Sequence, residues 1–159
     1  MQIWELVVRE SVRDVIARYN SYGDSGRMED LLDLFTEDAV MDMEDDVFTG
    51  RQAIADGFLA AGRKFVVFAK ESKAPRDLPV LRHLTATHVI DATSETSATC
   101  TSYFLTMMHK GPDHWGSYTD AFREEDGRWR ISHRRVVVEG AAPGGMGAAE
   151  FARRGKGGY

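Results

Sequence analysis

The sequence predicts an α+β domain in which helices come first and then cover one face of a curved antiparallel sheet. Two apolar stripes at helical spacing occupy the first 35 residues, and four long β-branched and aromatic runs occupy residues 81–138. With 159 residues, 43% of them hydrophobic, the chain has the size of one domain and enough apolar side chains to fill a core.

The first stripe, Val8, Val12, Val15, Ile16 and Tyr19, follows the spacing of one buried helix face, and Met28, Leu31, Leu32 and Phe35 repeat it. Between them lies the corner Arg18 to Arg27. Gly23 suits the left-handed residue that ends a helix, and Asp24 or Ser25 suits the cap that begins the next. Asp24 therefore has two readings: a carboxylate accepting orphan N–H groups of the second helix, or one turned into a cavity towards a histidine. Val40 to Met43 alternates as a short strand, Glu44-Asp45-Asp46 turns, and Ile54, Phe58 and Ala61 mark a short third helix. Pro75 and Pro79 make Lys70 to Pro79 an irregular loop beside a cavity. The four long runs are Leu81–Asp91, Thr96–Met108, Trp115–Glu125 and Arg128–Val138, joined by tight turns, with Asp126-Gly127 the strongest hairpin signal. Such a meander, coiled around helices, forms a closed-ended cone suited to a small-molecule pocket. The domain is expected over residues 1–139. Seven of the chain's 15 glycines fall in residues 140–159, which predicts a flexible C-terminal tail.

Charge and motifs exclude several function classes. A net charge of −5 argues against a nucleic-acid surface, because phosphate neutralisation needs Lys and Arg. No window approaches the ~18 consecutive apolar residues of a membrane span, and the start lacks a signal-peptide pattern, so a soluble, cytoplasmic protein with no membrane partner is expected. The single cysteine, Cys100, sits in an alternating run of small residues and reads as packing. His83, His88, His109, His114 and His133 show no metal-ligand spacing, so no metal is expected, and the absence of phosphate-binding and nucleophile-elbow motifs predicts no cofactor. His83 opens the first long strand, where alternation groups it with Leu81, Thr85, Thr87 and Val89 and puts His88 on the other face. Trp129 and Ile131 read as core. Arg134 and Arg135 are assigned to pairs with Asp38 and Asp42, or to solvent.

Several motifs together carry a resemblance. Tyr19-x-x-Tyr22-Gly23-Asp24, Leu31-x-x-Leu34-Phe35-x-x-Asp38-Ala39-Val40, Phe48-Thr49-Gly50-Arg51-x-Ala53-Ile54, a strand opening on His83, and Asp126-Gly127-Arg128-Trp129-Arg130-Ile131 are similar to the SnoaL-like branch of the NTF2-like superfamily. That resemblance implies a cone-shaped α+β barrel. Two of its enzymes, scytalone dehydratase and the hexachlorocyclohexane dehydrochlorinase, pair an aspartate from the end of the first helix with a histidine opening the first long strand. The matching residues are Asp24 and His83, which implies a catalytic dyad: Asp24 orients the imidazole and His83 removes a proton. Tyr118, Tyr22, Tyr103 and His114 are the candidates to stabilise developing negative charge, Tyr118 first, and Phe48 and Trp115 are candidates for the apolar wall. The dehydrochlorinase's pocket arginine position reads as Glu124 here. The implied function is a cofactor-independent lyase that eliminates water or another small leaving group from a hydrophobic, aromatic or polycyclic substrate. An isomerase or polyketide cyclase with the same base, and a non-catalytic small-molecule binding module, are the alternatives. The resemblance further implies a homo-oligomer, with a trimer favoured over a dimer.

Overall fold

The computed structural model describes residues 1–71, 73 and 81–153. In chain order its elements are α1 (Ile3–Asp24), α2 (Met28–Asp33), β1 (Phe35–Asp42), β2 (Val47–Thr49), α3 (Arg51–Glu71), β3 (Leu81–Ser94), β4 (Ser97–Met108), β5 (Gly111–Glu125), β6 (Arg128–Ala141) and α4 (Met146–Arg153). Helices thus precede one six-stranded sheet, of order β2-β1-β6-β5-β4-β3, that stays unclosed. Strands β3 to β6 form the expected antiparallel meander, and β1 adds to β6 in parallel. Asp126 and Gly127 both have positive φ, the two-residue turn whose twist matches the flanking strands.

The stripe on α1 buries Val8, Val12, Val15 and Ile16 against the inner face of the sheet, where Ile90, Ala98, Cys100, Phe104, Tyr118, Phe122, Ile131 and Val136 meet it. Each such side chain contributes roughly 1.5–3 kcal/mol on leaving water, so this stripe is the main anchor of the helix. Asn20 Nδ2 donates to Thr85 Oγ1 at 3.1 Å and ties the end of α1 to the start of β3. Cys100 is fully enclosed, and burial pushes its thiol up to about 11.

Curvature comes from β-bulges, and each changes which residues face inward. In β3 the pairing skips between Ala86 and Val89, with Thr87 at φ +57°. The bulge reverses the alternation, so His83, Thr85, His88 and Ile90 all tend inward while Val89 faces out. His88 is therefore on the His83 side, against the simple parity expectation. Further single-residue bulges fall at Asp113 in β5 and at Ser132 and Glu139 in β6.

Other expectations need correction. Gly23 lies inside α1; Gly26, at φ +68°, is the left-handed residue of the corner. The cap position of α2 is Arg27, without a side-chain cap, so neither Asp24 nor Ser25 starts that helix. Phe35 belongs to β1, and α3 runs on to Glu71. The loop expected from Lys70 to Pro79 otherwise lies, except for Lys73, outside the described residues. Nor does structure end at residue 139. β6 continues to Ala141, Ala142 N–H donates to the Asp113 carbonyl at 2.6 Å, and α4 docks on β5 and β6. Residues 140–153 are thus part of the fold, and residues 154–159 lie outside the described residues. Among the described residues no helix is long and apolar enough to cross a membrane.

Candidate active site

Asp24 is the last residue of α1, and that position is physically unfavourable for an acid. A carboxylate at a helix C-terminus faces the negative end of the helix dipole and a row of orphan carbonyls. What holds it is His83. Asp24 Oδ1 lies 2.7 Å from His83 Nδ1, and Asp24 Oδ2 accepts the His83 backbone N–H at 2.9 Å. Both oxygens are committed to one residue, 59 positions away. The Asp24 side chain is 6% exposed and the His83 side chain 26%. A buried orienting acid and a reachable imidazole result. Among the described residues, no protein partner occupies His83 Nε2.

Next to this pair the strand register brings two further groups. His83 pairs with Thr106 on β4, and Thr106 pairs with His114 on β5. His114 Nε2 lies 3.2 Å from Thr106 Oγ1, and His114 Nδ1 lies 2.7 Å from Asp113 Oδ1. Burial opposes the charge of Asp113, but hydrogen bonds from His114 and from the N–H groups of Gly147 and Met146 outweigh it and hold the carboxyl below the usual range.

Deeper on the inner face lies a cation that simple alternation does not predict. Arg134 is wholly buried and makes a two-pronged contact with Asp120, Nε to Oδ1 at 2.8 Å and Nη2 to Oδ2 at 2.7 Å. Its guanidinium lies between aromatic rings, 3.9 Å from the Tyr19 centroid and 4.4 Å from that of Tyr118. Burial works against the charge, yet Asp120 and the two tyrosines keep it firmly protonated. Its Nη1 has no hydrogen-bond partner among the described residues. The bulge at Ser132 is what turns Arg134 inward: Ile131 faces the core and, one extra residue later, so does Arg134. Of the pairs expected for Arg134 and Arg135, Arg135 does meet Asp42 at 3.4 Å, whereas Asp38 pairs with Arg123 at 2.6 Å.

The remaining candidates divide. Tyr118 is on the inner face, stacked on Phe104 with centroids 4.6 Å apart and edge-on to Tyr19 at 6.4 Å. Burial raises its ionisation far above the ordinary range, so its hydroxyl keeps its proton. Phe48 packs on Gly57 of α3, at the opposite edge of the sheet order from His83. Three expected pocket residues point elsewhere. Tyr103 is 59% exposed on the outer face, because β4 turns its even-numbered residues inward. Trp115 pairs with Leu105 on that same outer face and covers Gly140. Tyr22 lies under Arg27, whose guanidinium is 4.3 Å from its ring, and its hydroxyl accepts from Arg18 at 3.0 Å. It lines an outer groove of about 340 Å³ between α1, α2 and the β5–β6 hairpin. That groove and a hollow of about 130 Å³ beside Asp113 and Pro143 are both set apart from the Asp24–His83 contact. Glu124 accepts the Gly127 N–H in the hairpin turn; the buried arginine of the inner face is Arg134.

Residues 4–135 match the family model described as the SnoaL-like domain. The chain belongs to the SnoaL-like family. No curated protein matches it. Among solved structures, this SnoaL-like protein is similar in fold to a protein of Novosphingobium aromaticivorans provisionally described as a scytalone dehydratase. Identity is 22%, the TM-score 0.70, and the match covers 86% of this chain and 87% of that one. LinA, a hexachlorocyclohexane dehydrochlorinase, is 16% identical with a TM-score of 0.66, over 87% of this chain and 90% of that one. An Asp-to-Asn variant of Rv3472, a protein of unknown function from Mycobacterium tuberculosis, is 24% identical with a TM-score of 0.68, over 84% of this chain and 72% of that one. The family thus includes enzymes, and the SnoaL-like fold by itself does not specify a reaction.

Proposed function

We propose that this SnoaL-like protein is a cytoplasmic, cofactor-independent lyase that eliminates water or another small leaving group from a hydrophobic, aromatic or polycyclic substrate. The observation that carries the reading is the Asp24 carboxylate, buried at the wrong end of a helix with both oxygens on His83. In that geometry Nδ1–H of His83 donates to Asp24, and Nε2 carries the lone pair that takes a carbon-bound proton. Asp24 then faces the imidazolium as its counter-charge. A base of this kind accelerates a reaction by about 10² to 10⁴, so the enolate that forms needs its own stabilisation. Tyr118, which keeps its proton, and Arg134, whose Nη1 has no hydrogen-bond partner among the described residues, are the groups assigned to it.

The test is turnover of β-hydroxytetralone, which loses water to give a fluorescent naphthol, by the parent protein and by His83→Ala. Turnover is expected in the parent and a loss of about 10² to 10⁴ in the variant. Equal rates in two folded proteins would end the dyad reading. Deuterium uptake from heavy water without loss of mass would instead favour the isomerase or cyclase.

The exposed outer face of the sheet carries Leu84, Val89 and Tyr103, each more than half exposed. We propose that a second copy covers them, in a trimer by preference. Sedimentation should then give a species larger than the monomer, and Tyr103→Glu should shift it towards the monomer; a parent that sediments as a monomer at all concentrations excludes this.

A further inference from the structure

We infer that His114, held by Asp113 and acting through the Thr106 hydroxyl, supplies the proton to the leaving group, opposite His83. This rests on the elimination reading and extends it with a second acid–base group. Three observations carry it.

The first is register. His83, Thr106 and His114 are consecutive cross-strand neighbours on the inner face. Strands lie about 4.8 Å apart, so the backbones carrying the two imidazoles are about 10 Å apart, the width of one small ring system. The second is the construction of the pair. Asp113 repeats what Asp24 does: one imidazole Nδ1 at 2.7 Å, and backbone N–H groups, here those of Met146 at 2.7 Å and Gly147 at 2.9 Å. The bulge at Asp113 is what allows two consecutive residues to serve one side of the sheet. The third is the direction of Nε2. Holding α4 requires Asp113 alone, yet the imidazole extends to the Thr106 hydroxyl, which is itself fully buried. Gly147 leaves room for this, since a Cβ there would lie 2.6 Å from that of His114. His109 and Lys110 line the hollow beside Asp113, and His83 lies across Thr106 from His114.

The proton balance closes without a co-reactant. The carbon–hydrogen bond next to the substrate carbonyl breaks and its proton goes to His83 Nε2. The β carbon–oxygen bond breaks and oxygen keeps the electron pair. The Thr106 hydroxyl protonates that oxygen and recovers its own proton from His114 Nε2–H. The products are an alkene and water, with His83 protonated and His114 neutral; exchange with solvent restores both.

Leaving-group dependence tests this. β-Hydroxytetralone and β-chlorotetralone give the same naphthol, but only hydroxide needs a proton to depart. His114→Gln is expected to lose about 10² or more on the hydroxy compound and less than about threefold on the chloro compound, because acid catalysis matters only for the poor leaving group. Thr106→Val should behave alike, and Thr106→Ser should restore the rate; circular dichroism checks that each is folded. Equal losses on both compounds, or no loss on either, overturn the assignment. Parent turnover of the chloro compound alone overturns it while sparing the elimination reading, whereas turnover of neither removes both.

Discussion

Asp24→Asn is expected to slow elimination by about 10² to 10⁴ while leaving the fold in place. Asparagine matches aspartate in volume but offers one acceptor oxygen instead of two. His83 presents two donors to this position, its Nδ1–H and its backbone N–H. Whichever way the amide turns, one donor meets an NH₂ group, and the imidazolium loses its counter-charge. The lost hydrogen bond costs about 1–3 kcal/mol where it is buried. Removing a negative charge from the C-terminal end of α1 returns about 0.3–1 kcal/mol. The net stability loss should therefore stay within about 3 kcal/mol, visible as a fall in the urea midpoint beside a far larger fall in kcat. If a folded Asp24→Asn protein turned over at the parent rate, the carboxylate would be a structural tie and no more.

That balance also explains why Asp24 is hard to judge from sequence. Near a helix corner an aspartate is usually a cap, and the residues around it read that way. Nothing in composition or periodicity links it to a histidine 59 positions on; only the resemblance does. The order of elements, the four-strand meander and the Asp126-Gly127 turn are legible because each rests on local chemistry. The inner face is less legible. Strict alternation from Ile131 turns Arg134 outward, and strict alternation puts Asp113 and His114 on opposite faces. One extra residue, at Ser132 and at Asp113 respectively, reverses both results. A bulge has no strong residue signature, since Thr87, Asp113, Ser132 and Glu139 share none. Tyr103 and Trp115 fail as pocket residues for the related reason that an aromatic in a strand does not declare its face. The parts of the site that sequence misses are thus those that curvature creates.

Arg134→Met should destabilise the protein by about 3–5 kcal/mol, because it leaves the Asp120 carboxylate buried, charged and unpaired. Asp120 is 2% exposed and its two oxygens receive their hydrogen bonds from this one side chain. The companion Arg134→Met/Asp120→Leu removes both charges and keeps the volume apolar, so most of that loss should return, as is common when a buried pair is replaced whole. Urea unfolding of the three proteins gives the comparison. Stability and activity should then separate. A double variant as stable as the parent lacks the buried cation beside Tyr118, and an enolate forming there would lose an oriented charge, so elimination should fall by about 10² to 10³. If the double variant is both stable and fully active, Arg134 serves packing alone, and the charge that the reaction needs must come from Tyr118 and the two histidines.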